Sequence, residues 1–226
     1  MMIVVIGAGT VGNSLIEQAL STTSNDLVVV ENDPALADAC AERHDVRVLA
    51  MDVGDEAFVE ESQLARAEAL IATTDDDPTN LMAVLLAQEA GVETLTSTVN
   101  RDAHIPIFRR LNVRVLADPE RLVAQHLLDI TLLPETNDVT TLRGGQQVIE
   151  LRLGEDSPLI GRTAGQVQRD GLLGDDLQLL ARVRDGVTRR LLDDDALAAG
   201  DGVIIFAAER LRGRRRRTFR ERHLAG

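Results

Sequence analysis

Six short runs rich in β-branched residues are the feature that most constrains how this chain can fold. They occupy residues 3–7, 27–31, 46–52, 68–74, 94–99 and 112–117. The stretches between them carry apolar residues three or four apart, which predicts helices over 11–19, 34–43, 57–66, 80–90, 103–110 and 120–129. Strands that alternate with helices form parallel sheets with right-handed crossovers. We therefore predict an α/β fold, with a Rossmann-type doubly wound sheet over residues 1–134.

The pattern changes in the second part of the chain, where predicted strands follow one another closely. They cover residues 146–153, 177–186, 187–192 and 201–209, and predict a small α+β domain over 140–209. Residues 134–145 are rich in polar and turn-forming side chains and are predicted to be the linker. Residues 210–226 carry eight Arg against one Glu. We expect a disordered basic tail there, either solubilising or in weak contact with anionic lipid or an acidic partner.

The charge and composition exclude several classes of protein. The net charge is −13, and all 24 basic residues are Arg. Acid-rich chains without lysine resemble proteins of extreme halophiles, although a GC-rich genome is an alternative cause. The acidity argues against nucleic acid as a partner. Without an apolar run of about 18–20 residues, a basic leader or a cysteine pair, we expect a cytoplasmic protein.

A glycine motif lies between the first predicted strand and helix. Gly7, Gly9 and Gly12 form G-x-G-x-x-G, which is a specific signal only in that strand–helix context. Gly7 permits a tight turn, Gly9 lets the backbone approach a pyrophosphate, and Gly12 lets helix and strand pack closely. The amides of Thr10 and Val11 at the helix N-terminus then meet the anion. This predicts a nucleotide site, the alternative being a domain that has lost its ligand.

Residues at the carboxyl ends of the other strands are predicted to face the same crevice. Glu31 ends the second strand, where a carboxylate accepts hydrogen bonds from a ribose and disfavours a 2′-phosphate. This favours NAD(H) or an adenosine nucleotide over NADP. The remaining candidates are Asp52, Val53, Thr73, Thr74, Asp75, Asn100 and Arg101. Helix capping is the alternative role for the acidic run, since Asp77 before Pro78 predicts an N-cap.

The residue types needed for catalysis are scarce. A nicotinamide dehydrogenase needs a proton donor or acceptor near the hydride, and the chain has no Tyr or Lys. The four histidines are His44, His104, His126 and His223, and none has a partner at a spacing typical of a triad or a metal site. We therefore predict no catalytic and no metal-binding residue. An NAD-dependent oxidoreductase of unknown substrate stays as the alternative.

Three stretches resemble one known family. "IVVIGAGTVGNSLIEQAL", "VLAMDVGDEAFVEESQLARAEALIATTDDDPTNLMAVLLAQEAGV" and "VNRDAHIPIFRRLNVRVLADPERLVAQHLL" are similar to the N-terminal domain of Trk-type potassium-uptake regulatory proteins, the RCK or KTN family. "VIELRLGEDSPLIGRTAGQV" and "LAAGDGVIIF" resemble its C-terminal module, TrkA-C or RCK-C. The resemblance spans residues 1–209, and its "TTDDD" and "SPLIGRT" stretches are more specific than the glycine loop.

The resemblance implies a function and a set of partners. It implies a gating subunit at the inner face of the cell membrane that binds NAD(H), ATP or ADP without transforming it. It also implies a homodimer that assembles to a tetramer or octamer against a Trk- or Ktr-type potassium transporter or a channel. A gating ring of another cation channel or exchanger is the alternative. The ring states must bind the nucleotides with different affinities for exchange to bias a pore.

Two departures from the family pattern bear on the ligand. Many members carry Arg inside the glycine loop and again at the end of the fifth strand, where this chain has Thr10 and Thr98. Arg101 lies near enough in sequence to substitute. Fewer cations favour NAD(H), AMP or ADP over ATP.

Two further features of the second half admit two interpretations each. The scattered acids Glu155, Asp156 and 193–195 indicate a solvated acidic face or a small-ligand site. The predicted helix 119–130 carries Leu122, Val123, Leu127, Leu128 and Ile130, which indicate contact with a partner subunit or with the chain's own core.

Overall fold

The computed structural model describes residues 1–22, 26–133, 136–142 and 144–211, and the chain divides into two compact units, Met1–Arg121 and Leu122–Gly226. The first unit contains a six-stranded parallel sheet in the order β3-β2-β1-β4-β5-β6. Its strands are β1 Met2–Ile6, β2 Asp26–Glu31, β3 Arg47–Ala50, β4 Ala69–Ala72, β5 Thr94–Val99 and β6 Arg114–Ala117. This order confirms the predicted Rossmann-type fold, and β1 and β4 flank the point where the strand order reverses.

Helices cover both faces of this sheet. They are α1 Thr10–Thr22, α2 Pro34–Arg43, α3 Phe58–Glu61, α4 Asp77–Glu89 and α5 Ile105–Arg110. Helix α6, Pro119–Leu132, follows β6 and belongs mostly to the second unit. Alternate side chains of β1 point to opposite faces, so Val4 and Ile6 pack with Phe58, whereas Val5 packs with Ile16. Burial on both faces explains why the strands are continuous apolar runs in the sequence.

Two predicted helix boundaries in this unit are wrong. The helix predicted over 57–66 is the short helix α3 followed by a 3-10 turn at Leu64–Arg66, because Gln63 between them adopts a left-handed φ of 53°. The N-cap of α4 is Asp76 and not Asp77, since Asp76 accepts a hydrogen bond from the Thr79 amide. The predicted cap of α2 is confirmed, as Asp33 accepts from the Ala35 amide at 2.8 Å.

The second unit contains a five-stranded antiparallel sheet in the order β10-β9-β11-β8-β7. Its elements are β7 Thr136–Thr141, β8 Gln147–Arg152, α7 Ala164–Arg169, β9 Leu177–Arg184, β10 Val187–Arg190 and β11 Gly202–Ala207. The core of the unit includes Ile149, Leu159 and Ile205, which are fully buried. All four residues of β10 are exposed at one edge of the sheet, and Arg189 pairs directly with Arg182 of β9.

The predicted linker and tail differ from the structure. Residues 136–141 of the predicted linker form strand β7, which pairs with β8. Arg210 and Leu211, predicted to belong to the tail, contact the second unit: Arg210 pairs with the buried carboxylate of Asp129, and the Leu211 amide donates to Gln147 Oε1 at 2.9 Å. The rest of the predicted tail, 212–226, lies outside the described residues. Within the described part of the chain, no helix has the length and apolar character needed to cross a membrane.

Candidate functional site: the glycine-loop crevice

The backbone of the glycine loop requires glycine at two of its three glycine positions, Gly7 and Gly12. Gly7 adopts a φ of +96°, and a Cβ on Gly12 would lie 2.0 Å from the Gly7 carbonyl oxygen. A Cβ on Gly9, in contrast, would meet no protein heavy atom within 4 Å. Helix α1 begins at Thr10, so the amides of its first turn have no acceptor within the helix. The loop therefore combines an open approach at Gly9 with the amide groups that suit an anion.

Glu31 connects the end of β2 to this loop. The residue is 8% exposed, and its Oε2 accepts from the Ala8 amide at 2.6 Å, while Oε1 accepts from the Asp33 amide at 2.9 Å. Each carboxylate oxygen has a second lone pair, which is the acceptor a ribose hydroxyl needs. Glu31 thus fixes the loop and lines the crevice at the same time.

Thr73 and Thr74 follow β4 and make hydrogen bonds next to the glycine loop. The Thr73 hydroxyl donates to the Ile6 carbonyl oxygen at 3.0 Å. The Thr74 hydroxyl donates to Oδ1 of Asn80 at 2.7 Å, and the Asn80 amide group donates back to the Thr74 carbonyl oxygen at 2.9 Å. Asn80 is fully buried. The bond from Thr73 holds the end of β4 to β1 at the point where the strand order reverses, and the bonds between Thr74 and Asn80 hold the end of β4 to helix α4.

The crevice brings several predicted residues together and adds others. It is lined by Ile6, Gly7, Val30, Glu31, Asn32, Met51, Asp52, Val53, Thr74, Asp75, Asp76 and Thr79. Val53 is 4% exposed and packs in the core, so only its backbone is available there. The Asp52 carboxylate accepts from the Gly54 amide at 2.7 Å. Sequence reasoning missed Asn32, Met51, Asp76 and Thr79, although each lies within a few residues of a strand end or helix start.

A second pocket contains two further predicted residues, Asn100 and Arg101, whereas the predicted residues Gly9, Thr10, Val11, Gly12 and Thr73 line neither pocket. We call this second pocket the Asp77 pocket; it is lined by Asp75, Asp76, Asp77, Pro78, Asn100, Arg101 and His104. The carboxylate of Asp77 is nearly buried and accepts from the backbone amides of Asn100 at 2.7 Å and Arg101 at 3.0 Å. Its Oδ2 also lies 2.7 Å from His104 Nδ1. The sequence spacing of the histidines gave no sign of this carboxylate partner for His104.

Hydrogen bonds keep the Asp77 carboxyl in its charged form. Burial raises the pKa of Asp77, but the hydrogen bonds from Asn100, His104 and Arg101 outweigh burial and hold the pKa below its usual value. Asp76 also has a lowered pKa, because the Thr79 side chain and amide donate to its carboxylate. At the start of α4, Asp76 thus caps the helix, and the buried carboxylate of Asp77 holds the loop after β5 in place.

Fold and site together define a Rossmann-type domain whose glycine loop opens on a crevice at the topological switch point. The family model for the TrkA-N domain matches residues 3–119, just over half of the chain. The chain therefore belongs to the TrkA-N domain family. This confirms the resemblance to Trk-type regulatory proteins for the first unit.

Similarity to individual proteins extends beyond that domain. The chain is 25% identical over 168 residues to a Trk system potassium uptake protein TrkA homolog of Methanothermobacter thermautotrophicus, covering 74% of this chain and 77% of the relative. It is 28% identical over 213 residues to the Trk system potassium uptake protein TrkA of Azorhizobium caulinodans, covering 91% of this chain but only 44% of that protein. The solved structure of the GsuK channel bound to NAD superposes with a TM-score of 0.61 at 18% identity, covering 91% of this chain and 37% of that one. That last likeness concerns the fold.

Proposed function

We propose that this chain is a nucleotide-sensing regulatory subunit of a potassium-transport system. The observation that carries the proposal is the glycine loop, where Gly9 is open to approach, the amides of α1 begin at Thr10, and Glu31 lines the crevice. The ligand is NAD(H) or an adenine nucleotide, AMP, ADP or ATP, bound without being transformed. The names of the relatives and the NAD-bound state of the GsuK channel support this assignment.

The charges of the crevice favour the less charged nucleotides. Glu31, Asp52, Asp75 and Asp76 contribute carboxylates to its lining, whereas Arg101 lies in the neighbouring Asp77 pocket. A triphosphate brings more negative charge against these carboxylates than a dinucleotide or a monophosphate does. We therefore rank NAD(H), AMP and ADP above ATP, and a calorimetric titration in which ATP binds tenfold tighter than NADH would contradict that order.

The partners follow from the family and from the surface of α6. We propose a membrane potassium transporter of the Trk or Ktr type, or a channel, contacted at the inner face of the membrane. Five apolar side chains of α6 are 43–61% exposed, namely Leu122, Val123, Leu127, Leu128 and Leu132. We assign this apolar face to a second copy of the chain, in a homodimer that builds a tetramer or octamer. The second unit, with strands within 136–207, is the TrkA-C or RCK-C regulatory domain in this proposal.

Ligand-dependent stability tests the proposal directly. Thermal unfolding is measured in molar potassium chloride with NAD, NADH, AMP, ADP or ATP present. A ligand at 100 times its dissociation constant raises the free energy of unfolding by about 2.7 kcal/mol. Gly9→Asp places a carboxylate in the open space at the loop and is expected to abolish the shift. Gln18→Glu adds the same charge farther along α1, at an exposed position, and should keep it. No shift with any of these nucleotides would overturn the proposal.

The pairing of Asp77 with His104 favours one second candidate, an NAD-dependent oxidoreductase. A carboxylate that orients an imidazole is a general acid–base arrangement. That candidate predicts turnover of NADH with a small carbonyl compound, lost in His104→Gln. The sensor predicts binding of NADH without oxidation.

A further inference from the structure

Arg101 and His104 are the basic residues that line either the glycine-loop crevice or the Asp77 pocket, within the described part of the chain. The other charged residues of the two linings are Glu31, Asp52, Asp75, Asp76 and Asp77. A phosphate-bearing ligand that reaches from one pocket towards the other has these two basic side chains available.

Asp77 fixes both basic residues. Its carboxylate accepts the backbone amide of Arg101 at 3.0 Å and lies 2.7 Å from His104 Nδ1. Because Nδ1 is engaged, Nε2 is the ring nitrogen left for a ligand, and the His104 side chain is 31% exposed. Asp77 itself is nearly buried and takes two further hydrogen bonds from Asn100, so this anchor has little freedom to move.

We propose that His104, together with Arg101, binds a phosphate of the nucleotide, and that protonation of His104 makes nucleotide affinity depend on pH. This inference rests on the proposed nucleotide site and adds a pH response to it. Nucleotide binding by the chain would then respond to the proton concentration as well as to the nucleotide concentration.

The sign of the response follows from charge. A neutral imidazole that donates Nδ1–H to Asp77 has an acceptor at Nε2 and repels a phosphate oxygen, whereas an imidazolium donates at both nitrogens. The charged groups around His104 are Asp77 on α4, Asp75 and Asp76 before it, and Arg101 and Asp102 after β5. Among the side-chain types in this set, imidazole is the one whose charge changes near neutral pH. Binding a phosphate therefore takes up a proton, and affinity rises as the pH falls.

Calorimetric titration of the full chain with NAD at pH 6 and pH 8 tests this. NAD is chosen because it has no terminal phosphate group. The terminal phosphate of ADP titrates near pH 6 and would itself make binding depend on pH. We expect NAD to bind about fivefold more tightly at pH 6 than at pH 8. His104→Gln should bring the ratio of the two affinities close to one. His126→Gln removes a histidine that lines neither pocket and should keep the wild-type ratio. If NAD does not bind, ADP is used and the wild-type ratio is compared with that of His104→Gln.

A second measurement requires no variant. Titration at pH 7 in two buffers of different ionisation enthalpy gives the number of protons taken up on binding, which we expect to be clearly above zero. Nucleotide binding with no proton uptake and no pH dependence overturns the role of His104 but leaves the proposed function intact. Failure of every nucleotide to bind at both pH values overturns the proposed function and this inference with it.

Discussion

The glycines in the loop between β1 and α1 have different roles, as the motif predicts. Gly12 is required by packing, because the Gly7 carbonyl oxygen occupies the space where its Cβ would be. Gly9 has no neighbour in that direction and is required only if a ligand approaches there. A substitution at Gly12 therefore tests the stability of the fold, and a substitution at Gly9 tests the binding of a ligand.

Substituting each of these glycines by alanine tests this difference in roles. Gly12→Ala is expected to lower the free energy of unfolding by about 3 kcal/mol, since the added methyl group forces helix and loop apart. Gly9→Ala should change it by less than about 1 kcal/mol. Urea unfolding followed by circular dichroism gives both values. A large loss in Gly9→Ala would mean that the open space at the loop is structural.

Pairs of residues brought together by topology explain what sequence reasoning missed at the site. The glycine loop and Glu31 could be predicted, because their roles depend on local spacing and on one strand–helix–strand unit. The contact between Asp77 and His104 joins residues 27 apart, after β4 and after β5. Only the pairing of these neighbouring strands places both residues at one edge of the sheet. The contact between Asp77 and His104 could have been predicted by considering together all polar residues that follow adjacent strands.

At the scale of elements, strands buried on both faces were predictable, whereas the edge strand β7 was missed. Strand β7 buries only Val139 of its six residues, so its sequence shows neither an apolar run nor alternation. It lies at the edge of its sheet and is defined by pairing with β8. The failure at residues 57–66 has a different cause, since the left-handed backbone at Gln63 interrupts a helical pattern without a glycine to signal it.

The exposed apolar side chains of helix α6 lead to a prediction about self-association. Leu127→Glu places a charge in the exposed apolar face and is expected to weaken self-association at least tenfold, because an interface core excludes unpaired charge. Sedimentation velocity across a concentration series measures this. Leu192→Glu, at a comparably exposed leucine outside α6, should leave association unchanged. Equal effects of the two variants, or a monomeric wild type, would contradict the assignment of this face.

Among the described residues of the whole molecule, Asp77, Asp129 and Asp201 are buried carboxylates with lowered pKa values, and we expect them to contribute to the response of the protein to acid. Burial raises the pKa of Asp77, Asp129 and Asp201, yet hydrogen bonds outweigh it in each and leave the pKa below its usual value. For Asp201 the strongest lowering of the pKa comes from Arg184, whose guanidinium donates two hydrogen bonds to the carboxylate, at 2.6 and 2.7 Å. A carboxyl group with a lowered pKa contributes stability above its unfolded pKa, near 4, and loses it as the pH falls through the folded value.

Replacing one of these carboxylates should make that contribution visible. Asp201→Asn is expected to lower the free energy of unfolding by about 2 kcal/mol at pH 7. The difference from wild type should shrink as the pH falls below about 4, where the carboxyl is protonated first in the unfolded chain and then, at lower pH, in the folded protein. Asp170→Asn removes an exposed partner of Arg162 and should cost less than about 1 kcal/mol. Chemical unfolding at pH 7, 5 and 3 gives the comparison, and a pH-independent difference would show that the lost charge is not the cause.

The edge formed by β10 has a consequence for solubility. An open strand edge is a template for pairing with another chain, and proteins commonly block such edges with lysine, which this chain does not contain. Here Arg189 and Arg190 occupy half of the exposed edge strand, and Arg189 stands directly opposite Arg182. A second copy that tried to add its own β10 would bring like guanidinium groups side by side. In this lysine-free chain, we therefore expect arginine to oppose the addition of another strand at the β10 edge.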